Sequence, residues 1–341
     1  MIRKASLHIT LLLVTMLSVI PILAECDCTQ ESITGVSRIQ CEALVAFYSA
    51  TGGEASWPSD YNWNTTSPVD DWYGVVVEDG AVTQLLLSDK SWLEGSIPPE
   101  IGNLVNLEFI DLGRNRLSGT IPPELGNLDN LQRLRLSGNQ LKGSIPPELA
   151  YLGNLMELTL DENQLTNVPP ELGNLTNLQI LSLDSNQLHE IPGSLGNLEN
   201  LCLLGLGNNQ LREVPLNLYD LSNLFYLYLR GNRLEGNIPA EIGQLINLRT
   251  LDLGKNHYEG QIPPEISNLT NLELLYIDGN KLTGPVPSEV LNLPDLGVDT
   301  GLSFHIANAS YNALFTDDPD IEYFMQDSFP GWFLRQTVSP L

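Results

Sequence analysis

One short pattern governs most of this chain. From Leu107 the form LxxLxLxxNxL returns at Leu131, Leu155, Leu178, Leu201, Leu224, Leu248 and Leu272, at intervals of 23 or 24 residues. A less regular unit precedes the array at Val82, Leu85 and Leu87, and a degraded one follows near Asn312 and Leu314. In a strand the alternating leucines of LxxLxL point to one side and the x residues to the other. A strand this short cannot hide its apolar side alone. Stacked in parallel, successive strands bury one continuous core, so the pattern calls for a coiled rod rather than a globule. Each unit then places an asparagine where the chain leaves the strand: Asn115, Asn139, Asn163, Asn186, Asn209, Asn232, Asn256 and Asn280. Their amides can satisfy buried backbone groups that a tight turn leaves unpaired. The following IPPEL segment closes the coil. Its prolines fix the backbone and donate no ladder hydrogen bond, so this side is not a regular strand.

A period of about 20 to 29 residues with this pattern resembles the leucine-rich repeat. The resemblance implies an α/β solenoid: a right-handed superhelix with a concave parallel β-sheet, a helical N-terminal cap and a short C-terminal cap. The units come in two versions. Those reading NxLxGxIP, such as "NRLSGTIP" and "NRLEGNIP", resemble the plant-type repeat, in which the LxGxIP segment adds a second small sheet. Three central units, "NQLTNVP", "NQLHEIP" and "NQLREVP", are one residue shorter and lack the glycine. The second sheet is therefore expected to break between about Thr166 and Pro215, with side-chain alternation shifted there.

The two ends add detail. Arg3 and Lys4, the mostly apolar residues 9–23 and the small Ala24 resemble a secretory signal peptide, residues 1–24. Glu25 precedes Cys26, which argues against a lipoprotein, and no later stretch has the ~20 apolar residues of a membrane span. In an oxidising compartment Cys41 could pair with Cys26 or with Cys28, and Cys202 is left as a lone thiol on the array. Residues 37–50, "SRIQCEALVAFYSA", read as a helix, with Ser37 and Gln40 as a capping box and Gly52 and Gly53 ending it. Ile39, Ala43 and Phe47 share one apolar face, as do Leu44 and Tyr48. With Trp57, Trp63 and "DWYGVVVEDGAVTQLLL", this segment resembles the cysteine-poor cap of secreted leucine-rich repeat proteins from bacteria and algae. The tryptophans then read as end-cap packing. The tail segments "SYNALFTDDPDIEYF" and "WFLRQTVSP" resemble the same group, with Asp318 and Pro319 opening a short closing helix. The expected organisation is an N-terminal cap over 25–81, repeats over 82–295, and a degenerate repeat with a C-terminal cap over 296–341.

A solenoid core explains the constant residues, so function must lie in the variable ones. Three outward columns run along the concave side. The first is Phe109, Arg133, Glu157, Ile180, Leu203, Tyr226, Thr250, Leu274. The second is Asp111, Arg135, Thr159, Ser182, Gly205, Tyr228, Asp252, Tyr276, and the third is Gly113, Ser137, Asp161, Asp184, Gly207, Arg230, Gly254, Asp278. Leu203, Tyr226, Tyr228, Arg230, Leu274 and Tyr276 gather into an aromatic patch toward the C-terminal half, and tyrosine and arginine are favoured anchors for protein partners. Arg133 and Arg135 are expected to pair with Asp111 and Glu157 across coils. Asp161 and Asp184 stack as like charges but are too few for a dedicated calcium site.

The formal charge of −26, from 42 acidic and 16 basic residues, argues against nucleic acid and anionic membrane surfaces as partners. Removing residues 1–24 takes away Arg3 and Lys4 and no acid, leaving −28. His189, His257 and His305 lie near no nucleophile at a recognised spacing, and no phosphate-binding or metalloprotease motif occurs. No cofactor or metal is expected. Four sequons, at Asn64, Asn174, Asn268 and Asn308, permit N-glycosylation. The expectation is a monomeric, secreted or cell-surface recognition module, not an enzyme, binding a protein or peptide on the concave face. The alternative is a structural or adhesive surface protein with no single tight ligand.

Overall fold

The repeat folds as its leucines dictate. Each of eight units contributes one three-residue strand, from Phe109–Asp111 to Leu274–Tyr276, and these pair in parallel in chain order. An antiparallel hairpin of Val75–Glu78 and Ala81–Leu86 starts the same sheet, which thereby has ten strands. The structure is a computed structural model and describes residues 27–30, 34–289, 293 and 313–315. The expected signal segment, Cys26 and the closing helix expected at Asp318 lie outside these residues. The middle residue of each strand points inward, and Ile110, Leu134, Leu158, Leu181, Leu204, Leu227 and Leu251 are completely buried. The prolines open a single 3-10 turn on the far side, as in Pro123–Asn127 and Pro170–Asn174. The result is a leucine-filled solenoid.

The turn asparagines act as the spacing implied. Asn186 Nδ2 donates to the carbonyls of Leu160, one coil back, and Leu183 in its own coil, at 3.0 and 3.1 Å. Its Oδ1 accepts the Leu165 N–H at 2.9 Å. The same trio recurs at Asn139, Asn163, Asn209, Asn232, Asn256 and Asn280. Carbonyls between two asparagines therefore accept twice: Leu183 receives both Asn186 and Asn209. The ladder is a continuous hydrogen-bonded seam between coils.

The second sheet is indeed broken. Glu94–Ser96, Arg116–Gly119, Gln140–Ser144 and Gln164–Asn167 form one four-stranded piece. Glu235–Asn237, His257–Gly260, Lys281–Pro285 and Ala313–Phe315 form another. The first short unit still supplies the strand Gln164–Asn167, so the break begins later than Thr166 and falls in the other two, at Leu188 and Leu211, which supply none. In the long units Gly95, Gly119, Gly143, Gly236, Gly260 and Gly284 take φ between 72° and 89°, where a side chain is strained. The short units have no such residue, and the first of them already enters with a register shift after Gly143.

At the N-terminal end, helix Arg38–Ala50 packs Ala43, Leu44, Phe47 and Tyr48 onto the core. Two expectations are corrected. Ser37 makes no side-chain cap, and Gln40 does not reach back to it: its Oε1 accepts the Val82 N–H at 2.7 Å instead. Ile39 is 60% exposed rather than part of the buried face. Cys41 is bonded to Cys28. Trp57, Trp63 and Trp72 are buried, each with its indole N–H donated to a backbone carbonyl, so they close the core end.

Candidate functional site on the outer face of the long sheet

Strand register decides which variable residues meet. Leu203, Tyr226, Thr250 and Leu274 are successive partners in one row, and Gly205, Tyr228, Asp252 and Tyr276 in the next. Neighbouring strands stand about 4.8 Å apart, so side chains in a row touch. Tyr226 is 37% exposed, and Tyr228, Tyr276, Leu203 and Leu274 are half-buried. Thr250 is buried between Tyr226 and Leu274, which closes the patch. Burial pushes the Tyr228 and Tyr276 hydroxyls above the usual phenol range, so both stay neutral donors.

Arg230 sits differently from the tyrosines. Its fork donates to both carboxylate oxygens of Asp278 at 2.8 Å, and Nη1 also reaches Asp252 Oδ1 at 3.3 Å. Asp278 lies two coils away. The reach is possible because the intervening residue in that column is Gly254, where any Cβ would collide with the guanidinium. The carboxylates hold the Arg230 guanidinium firmly protonated. Burial outweighs Arg230 at Asp252 and lifts that carboxyl above its ordinary value.

Toward the N-terminal side, Arg135 grips Glu157 with two hydrogen bonds of 2.6 and 2.9 Å and approaches Asp111 at 3.8 Å. Arg133 does not join an expected ion pair. Its guanidinium lies over the Phe109 ring, 5.5 Å from the centroid, because Phe109 is its register partner. Asp161 accepts the Ser137 hydroxyl at 2.6 Å. Asp184 leans over the side-chain-free Gly205 and accepts the Gly207 N–H at 2.7 Å and the Ser182 hydroxyl at 3.2 Å. Burial, reinforced by Asp161, raises its carboxyl above the ordinary range.

A second asparagine row runs beside the start of each strand, from Asn130 to Asn271. Each Nδ2 donates to a carbonyl of the preceding coil at 2.8 to 3.0 Å. Asn154, Asn177 and Asn200 line a groove of about 330 Å³ with Gln132, Met156 and Gln179. The sequence reading missed this row, although NLxxL repeats as regularly as NxL does. It also missed the Arg230–Gly254–Asp278 arrangement, which was present in the third column.

Comparison with known families settles the class. A leucine-rich repeat region matches residues 84–187, a leucine rich repeat matches 176–234, and further single repeats match 247–269 and 271–293. This is a leucine-rich repeat protein. Among solved structures, the plant peptide hormone receptor RGFR1 in complex with RGF2 is 34% identical, with a TM-score of 0.59 over 72% of this chain and 42% of that one. The Arabidopsis receptor kinase HAESA, in complex with the peptide hormone IDA and the co-receptor SERK1, is 29% identical, with a TM-score of 0.68 over 81% and 46%. A plant ice-binding protein is 26% identical, with a TM-score of 0.55 over 74% and 90%. No curated protein is significantly similar in sequence. The leucine-rich repeat chain spans less than half the length of both receptors. No helix among its described residues is long and apolar enough to cross a membrane.

Proposed function

We propose that this leucine-rich repeat protein is a non-enzymatic extracellular recognition module that binds a protein or peptide on its concave face. One observation carries the reading: Leu203, Tyr226, Tyr228, Leu274 and Tyr276 stand on strands of one continuous sheet, in register, with their outer surfaces open. Tyrosines on a rigid backbone lose little entropy on binding and bury much area. Arg230 belongs to the same surface as the brace that fixes its floor. The complexes of RGFR1 and HAESA with peptides support a peptide or protein ligand, and the leader-like residues 1–24 support export.

The test compares the protein with its Tyr226→Ala, Tyr228→Ala, Tyr276→Ala triple variant for capture of secreted proteins. Loss of an anchoring tyrosine weakens binding by about 2 kcal/mol, roughly thirtyfold. If every captured partner binds the folded triple variant equally well, the reading is wrong.

A second reading has its own support. The plant ice-binding protein is the compared structure whose length is almost fully matched, at 90%. The Asn130-to-Asn271 row presents one amide per coil, each locked by a hydrogen bond. A rigid, evenly spaced polar row can match a lattice of ordered water, which mobile side chains cannot. Thermal hysteresis that disappears in an Asn154→Ala, Asn177→Ala, Asn200→Ala variant would establish it, and absence of hysteresis in the parent protein removes it.

A further inference from the structure

Resting on the concave-face reading, we propose that the partner presents a basic segment, whose arginine or lysine seats against Asp184 and Tyr228 while its apolar neighbours cover Tyr226 and Tyr276. Arg230 looks like the anchor for an anionic ligand, yet its fork is closed by Asp278 and its remaining reach by Asp252. Arg135 is held by two hydrogen bonds to Glu157 and lies 3.8 Å from Asp111. Arg230 is therefore not left to receive a carboxylate from a partner, and Arg133, which lies over Phe109 without an ion pair among the described residues, stands four strands before Tyr226.

Asp184 has hydrogen bonds from Gly207 and Ser182 but no cation among the described residues, and Asp161 likewise has only Ser137. In the outward columns from Asp161 to Asp278, the four carboxylates of Asp161, Asp184, Asp252 and Asp278 meet the single positive charge of Arg230. Gly205 supplies no side chain between Asp184 and Tyr228, and it is the register partner of Tyr228. The Asp184 carboxylate fills the space over Gly205 and so reaches toward Tyr228 on the next strand. A cation over that pair gains the carboxylate and, above the face of the phenol ring, a cation–π contact. Complementary potential of this kind selects the partner and speeds its arrival.

The test selects random linear peptides on the purified full chain and ranks the enriched sequences. The expected result is enrichment of Arg and Lys over Asp and Glu. Selected peptides should weaken about tenfold on Asp184→Asn, which keeps the acceptor for Gly207. Their affinity should fall with rising salt. Glu171→Gln, a charge removed from the opposite 3-10 side, should leave affinity within about twofold. Peptides that need the tyrosines but are acidic, or are indifferent to Asp184→Asn, overturn this inference and leave the concave-face reading standing. Absence of any tyrosine-dependent binder overturns both.

Discussion

Replacing Asn186 by alanine tests the asparagine seam directly. The change leaves the Leu165 N–H without its acceptor and removes one of two donors from each of the Leu160 and Leu183 carbonyls. The orphaned N–H is buried and costs about 1 to 3 kcal/mol. The carbonyls keep Asn163 and Asn209, so each loses only a net hydrogen bond of about 0.5 to 1.5 kcal/mol. The expected loss is about 4 kcal/mol, within a range of about 2 to 6. Asn177→Ala removes an exposed bond to Gly153 that water replaces, and should cost under about 0.5 kcal/mol. Urea denaturation followed by circular dichroism measures both, with an unchanged slope showing that a single transition is compared. Equal losses in the two variants, or a loss below about 1 kcal/mol for Asn186→Ala, would refute the view that the seam is held by buried amides.

Three further outcomes follow from the same contacts. Gly119→Ala forces a φ of 82° on a residue with a Cβ and should cost about 1 to 2 kcal/mol in thermal unfolding, whereas Gly153→Ala, with open space and no such φ, should be silent. Arg230→Met should destabilise by about 2 to 4 kcal/mol at neutral pH, because Asp278 and Asp252 are left with 8% and 13% of their side chains exposed and no cation. A pH titration of stability should show that loss shrinking as the two carboxylates protonate. For Asp184 the sign runs the other way: its folded carboxyl lies above the unfolded value, so the folded state binds the proton more tightly and stability falls as pH rises through that window. Asp184→Asn should therefore stabilise the protein at neutral pH and lose that advantage in acid, read as the difference between the two denaturation midpoints.

The period and the inward leucines made the solenoid legible, because a two-residue alternation inside a 23- or 24-residue repeat has one way to bury its apolar side. The break in the second sheet was legible for a sharper reason: a single deleted glycine removes a backbone conformation that other residues resist. What the sequence concealed were contacts that leave the repeat's own logic. Gln40 fits a capping box locally, but a buried N–H at Val82 claims its side chain. Arg230 reads as a free anchor until its column is followed past Gly254 to Asp278. Columns of variable residues must be read across at least two coils, since a glycine lets a long side chain skip one.

The distribution of uncompensated charge separates scaffold from surface. Two guanidiniums on the concave face are answered by carboxylates, Arg135 by Glu157 and Arg230 by Asp278. Asp184 is partly buried, disfavoured by its surroundings and next to another acid, yet no cation answers it among the described residues. Its amide isostere would keep the backbone bond without the charge. A position that costs stability beside an open tyrosine surface fits a group held ready for something outside the chain. If Asp184→Asn raises stability and lowers peptide affinity together, the charge is there for the partner. If it raises stability and leaves affinity untouched, the concave face recognises its ligand through shape and the tyrosines alone.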